Sequence, residues 1–149
     1  MISTGSLMVL AALLFVKHLF ADGPLQTRYQ LRHKGDFLHP GGLLHAFIHV
    51  ALTLVCFVIW FVSYEIGIDR TALLLLVVVV AFEFVTHYMA DWLKVQADRR
   101  FNWSKVTVHE DGSVTLTILS STYFVAFLAD QTVHSLTYVV IVYLAGVGL

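Results

Sequence analysis

An uninterrupted apolar run, Leu73 to Phe82, leads directly into Glu83, His87 and Asp91. A run of this kind belongs in a membrane or a buried core. Neither accommodates an acid, an imidazole and a second acid unless something there needs them. Residues four apart advance about 400° around a helix, so the three side chains share one stripe. Whatever packs on that stripe must answer it.

The rest of the chain is built in the same way. Of its 149 residues 58% are hydrophobic and 13% charged, against roughly 45–50% and 25% in soluble domains. The expectation is an all-α membrane protein, a bundle of four transmembrane helices with a small cytoplasmic β-hairpin before the last helix. A single membrane domain covers residues 1–149, with spans at about 6–21, 43–64, 71–93 and 129–148. Gly23-Pro24 stops the first span, and the start, Met1-Ile-Ser-Thr-Gly-Ser, lacks the basic residues of a cleaved signal, so that span reads as permanent. Leu25 to Gly42 is a polar connector, a loop or a short interfacial helix. Lys94 to Ser104 is a polar helical extension of the third span. Lys105 to Ile118 alternates polar and apolar on both sides of Asp111-Gly112, the signature of a hairpin at about 105–118. Cys56 is the single cysteine, which excludes an intrachain disulfide and a cysteine-based metal site.

Four spans alternate in direction, which brings four polar pairs to one membrane surface: His18/Asp22, His45/His49, His87/Asp91 and Asp130/His134. Each pair covers about 6 Å of helix rise, so all eight groups fit one layer. Lys17, Arg28, Arg32, Lys34, Lys94, Arg99, Arg100 and Lys105 flank that surface, with Arg70 alone at the other. The bias places the layer toward the cytoplasm and both termini outside it.

One His/Asp pair near a helix end is ordinarily an interfacial hydrogen bond. Four pairs converging at one depth point instead to a metal. Imidazole and carboxylate together suit zinc, manganese and iron, and a bundle core fed by side chains from each helix is a recurrent way to hold such ions. The candidate ligands are His18, Asp22, His45, His49, His87, Asp91, Asp130 and His134. They suffice for one divalent ion with outer carboxylates orienting the histidines, or for two ions about 3.5–4 Å apart. Zinc is the first choice. Asp91 and Glu83 are the candidate catalytic bases, with Lys94 or Arg28 gripping an anion. Gln26 and Gln131 read either as groups that orient ligands or as plain capping contacts. His33, His39 and His109 read as solvated.

The function expected is a metal-dependent hydrolase acting from the cytoplasmic side on an amphiphilic lipid or phospho-ester. The competing readings are a di-iron-type oxidoreductase, a divalent-metal transporter and a structural metal staple. Membrane lipid and a lipid-like or anionic substrate are the expected partners, with no nucleic acid and a homo-oligomer left open.

The ordered set His18-x3-Asp22-x3-Gln26, His45-x3-His49, His87-x3-Asp91-x2-Lys94 and Asp130-Gln131-x2-His134 resembles an uncharacterised bacterial inner-membrane family known only as a domain of unknown function. The resemblance covers most of the chain. It implies a small multi-pass protein of the bacterial inner membrane and carries no established activity. A weaker similarity, in ligand style only, is to membrane-bound predicted metal-dependent hydrolases. The histidine boxes of fatty-acid desaturases differ, since this chain has no His-His dipeptide.

Overall fold

The structure, a computed structural model, describes residues 2–111 and 113–148. Met1, Leu149 and Gly112, the glycine expected at the hairpin tip, lie outside the described residues. The elements are α1 (Thr4–Asp22), α2 (Arg28–His33), α3 (Pro40–Ser63), α4 (Arg70–Phe101), β1 (Ser104–Val108), β2 (Val114–Ile118) and α5 (Thr122–Gly148). Helices α1, α3, α4 and α5 are long and apolar enough to cross a membrane.

Local chemistry accounts for most of the boundaries. Ser3 caps α1 by accepting from the Ser6 N–H at 3.2 Å, and at the other end the Gly23 N–H donates to the Leu19 carbonyl. Thr27 and Gln30 form a reciprocal capping box on α2. His39 caps α3, where Pro40 occupies the first turn, a position with no amide bond to lose. Asp69 caps α4 through the Ala72 N–H at 2.9 Å, and Asn102 ends it in the left-handed conformation at φ 55°. Strands β1 and β2 pair antiparallel with Val108 opposite Val114 and Ser104 opposite Ile118.

One boundary differs from expectation. Helix α5 begins at Thr122, well before the expected crossing at about Ala129, because Ser120 caps it by accepting from the Thr122 N–H at 3.2 Å. The helical extension expected after Leu93 is present, since α4 is one continuous helix from Arg70 to Phe101. Both helices therefore rise past the polar layer and, with the hairpin between them, wall the space above it.

The four long helices close a ring in which α1 packs on α3, α3 on α4, α4 on α5, and α5 back on α1. The interior has two zones. Leu10, Leu14, Phe57, Trp60, Val79 and Ile141 are fully buried in an apolar plug, where the Trp60 indole N–H donates to the Ser6 carbonyl at 2.8 Å. The other zone holds the buried histidines and acids. Large apolar side chains such as Val62, Val77, Val125 and Val147 are exposed around the outside. That distribution, apolar outward and polar inward, is unfavourable in water and suits hydrocarbon.

Helix α2 and the residues after it fold over the polar end. Gly35 approaches α4 so closely that a Cβ there would lie 2.4 Å from Val95 Cγ1. Its carbonyl accepts from Gln96 Nε2 at 2.6 Å and from Arg99 Nη1 at 3.1 Å. This anchor sets where the neighbouring Lys34 can reach.

Candidate metal centre

The i, i+4 spacing on each helix turns both members of a pair inward, and the ring brings the pairs together. Asp22 Oδ1 lies 3.0 Å from His45 Nε2 and 3.3 Å from His49 Nε2. Asp91 Oδ2 lies 3.3 Å from His45 Nε2 and 3.4 Å from His87 Nε2, while its Oδ1 is 3.9 Å from His134 Nε2. The rings of His49 and His87 are 3.7 Å apart between centroids, and those of His87 and His134 are 4.3 Å apart. Ligands at about 2.1 Å from a tetrahedral ion stand about 3.4 Å from one another. The separations observed match that edge.

Two groups result, Asp22 with His45, His49 and His87, and Asp91 with His87 and His134; in each, one ligand atom per residue lies within 4.8 Å of the others. These buried His and Asp groups could hold a metal ion. Their state of satisfaction supports this independently. Asp22 Oδ1, both ring nitrogens of His49, His87 Nε2, His134 Nε2 and Asp130 Oδ1 are buried without a hydrogen-bond partner. Buried polar atoms are ordinarily paired, and a bound cation would pair the lone pairs that converge here.

The other two candidate ligands stand beside these groups. His18 Nε2 lies 3.2 Å from Asp22 Oδ2 and 3.2 Å from Gln131 Oε1, with its Nδ1 3.0 Å from the Tyr138 hydroxyl. Asp130 Oδ1 lies 3.4 Å from His134 Nε2. Gln26 reaches the His45 ring at 3.5 Å. Both glutamines therefore touch candidate ligands.

Glu83, read from the sequence as a candidate base, is hydrogen-bonded to Lys17 deep in the bundle. It is fully buried and does not line the cavity above the cluster. Lys17, counted by the sequence reading among the flanking basic residues, is itself buried. Its ammonium also donates to the His49 carbonyl at 3.1 Å and stands 4.8 Å from the centre of the Tyr138 ring. An ammonium one turn below the layer has no water to solvate it, and Glu83 is the acid at matching depth. That match of depth was available in the sequence.

Lys94 also lies elsewhere than at the acids. Its ammonium stands 5.4 Å and 5.8 Å from the ring centres of Tyr123 and Phe127. The cation that reaches the cluster is Lys34, 3.0 Å from Asp91 Oδ2 and 3.7 Å from Asp22 Oδ1. Nothing in its local sequence signals this, because its position depends on how the connector folds back through Gly35. The histidines read as solvated make contacts of their own. His33 Nδ1 pairs with Asp36 Oδ2 at 2.9 Å, its ring stacks on His39 at 3.8 Å, and His109 Nε2 lies 2.8 Å from the Thr115 hydroxyl.

Two of the clustered ligands, Asp22 and Asp91, line a cavity of about 920 Å³ together with His18, Asp130 and Gln131. The ring therefore presents a candidate metal site whose carboxylates reach a cavity.

Among known proteins, no curated protein and no solved structure matches the chain, so the likeness to metal-dependent hydrolases gains no support there. The family described as "Protein of unknown function (DUF3307)" matches residues 9–148. That match covers α3, α4, α5, most of α1 and every candidate ligand, and the chain belongs to this family.

Proposed function

We propose that the protein is a membrane-embedded metal-dependent hydrolase that acts from the cytoplasmic side of the bacterial inner membrane on an amphiphilic lipid or phospho-ester. The observation that carries this reading is the convergence of buried His and Asp ligand atoms, two of whose residues, Asp22 and Asp91, line a cavity. Zinc is the preferred ion, since two or three imidazoles with one carboxylate make a donor set it favours. Manganese or iron is the alternative.

A divalent ion bound there supplies Lewis acidity and an acidified water. The residues of the chain do the rest. Asp22, His45, His49, His87, Asp91 and His134 hold the ion. Tyr138 and Gln131 fix the orientation of the His18 ring, and Asp130 that of His134. Asp91 faces the cavity and, through the carboxylate oxygen not bound to the ion, would take up the proton of the water. Lys34, beside it, meets the negative charge that develops on the substrate. Glu83, neutralised by Lys17 beneath the cluster, serves the architecture and the local field. The apolar plug of Leu10, Leu14, Phe57 and Trp60 below favours a one-sided site over a conduit for ions.

Elemental analysis of gently purified protein tests the reading. The expected result is one or two equivalents of a transition metal per chain, lost in a His45→Ala/His87→Ala variant that still folds. Protein free of transition metal, or a variant with unchanged metal content, contradicts it.

A further inference from the structure

The cavity above the cluster carries charges that the metal reading does not use. Arg32 from α2, Lys94 from the α4 extension and Lys105 from β1 all line it. Among the described residues none of the three forms an ion pair, whereas Arg99 pairs with Asp36, and Lys34 with Asp91 and Asp22. Lys94 is held by aromatic faces, which position an ammonium without neutralising it. None of the acids lining the same cavity pairs with these three. Asp22 and Asp91 face histidines and Lys34, Asp98 accepts from the Ser104 hydroxyl, and Asp130 contacts Gln131 and His134. Three cations without an ion-pair partner among the described residues therefore line the upper cavity, and they come from three separate elements.

We propose that the upper cavity binds the phosphate-monoester head of an amphiphile between Arg32, Lys94 and Lys105, which narrows the substrate class of the hydrolase proposed above and rests on that reading. Three cations approaching from different walls match a multiply charged anion with several oxygens better than they match a single carboxylate or a zwitterion. Leu19, Leu31, Leu116 and Phe127, all partly exposed, also line the cavity. Apolar side chains among the cations suit the first carbons of an acyl chain. The volume of about 920 Å³ lies within the range for small-molecule sites, roughly 300–1,000 Å³. A head held there reaches down to Lys34 and the candidate metal ligands, which places the ester bond at the chemistry.

Calorimetry on the full-length protein in nanodiscs, with metal content measured on each sample, tests the proposal using three probes: dioctanoyl phosphatidic acid, dioctanoyl phosphatidylcholine and inorganic phosphate. Phosphatidic acid should bind saturably and phosphatidylcholine should not. An Arg32→Gln/Lys94→Gln/Lys105→Gln variant should bind phosphatidic acid at least roughly tenfold more weakly with unchanged metal content, and the charge-keeping Arg32→Lys/Lys94→Arg/Lys105→Arg variant should retain binding. Equal binding of phosphatidylcholine, or full affinity in the glutamine variant, overturns the site. Inorganic phosphate binding as tightly as phosphatidic acid overturns the amphiphile and leaves free phosphate as the ligand. Cation-dependent phosphatidic acid binding in protein that holds no metal supports the anion site while overturning the hydrolase.

Discussion

At the scale of single residues, the account turns on which charges face each other where water is absent. Lys17 and Glu83 compensate one another, so removing either leaves the other buried and unpaired, a loss of about 3–5 kcal/mol. Lys17→Met and Glu83→Gln should each destabilise the bundle by that order. The Lys17→Met/Glu83→Leu pair should cost markedly less than the sum of the two, as read by unfolding in detergent. Additive losses would show that the two charges are not partners. Tyr138 offers a second residue-scale test. Its hydroxyl meets His18 Nδ1 at 3.0 Å, and His18 Nε2 in turn stands 3.2 Å from Asp22 Oδ2, one step further out than a direct partner of a ligand, whose removal ordinarily costs 10–100-fold. Tyr138→Phe should therefore weaken metal binding by less than about tenfold in chelator competition, with little change in stability. The i, i+4 pairs on the four spans were legible in the sequence because helix periodicity and span alternation determine their depth. The roles of Lys34 and Tyr138 were not legible, because each acts across the bundle on a residue far from it in the chain.

At the scale of elements, the connector decides where Lys34 stands. Gly35→Val would drive a side chain into Val95 and Arg99, and should release the connector, seen as faster amide exchange over residues 28–38. The connector is also held at Asp36, whose carboxyl is kept below its ordinary value by the hydrogen bond from His33 and by the Arg99 guanidinium. A carboxylate held low in the folded state contributes its stabilisation above its unfolded value and loses it as pH falls through the lowered folded value. Connector exchange should therefore rise on acidification through and below the usual carboxylate range, and Asp36→Asn should remove that dependence. The sequence showed this connector as polar and turn-rich. It could not show that the stretch folds back on α4, since the contacts of Gly35 with Gln96 and Arg99 are distant in the chain.

At the scale of the whole molecule, two zones within one ring explain the arrangement. The apolar plug packs the four helices together, and their ring brings side chains from all four into two adjoining groups that could hold a metal ion. The four long helices and the hairpin were legible because apolar length and polar alternation are local signals. The early start of α5 was not, because counting a membrane thickness back from the C-terminus ignores a helix that continues beyond the span. That extra length matters, since together with the α4 extension it builds the wall of the cavity. Destabilising the plug should therefore reach the site. Trp60→Ala, which leaves a large void and removes the indole hydrogen bond to the Ser6 carbonyl, should cost about 3–5 kcal/mol and lower metal occupancy, both measured on the same sample. The most direct measurement of the central claim is anomalous diffraction at a transition-metal edge from crystals of gently purified protein. The account predicts an anomalous peak inside the ring, bounded by Asp22, His45, His49, His87, Asp91 and His134. Fully ordered side chains at those positions with no peak among them would contradict it.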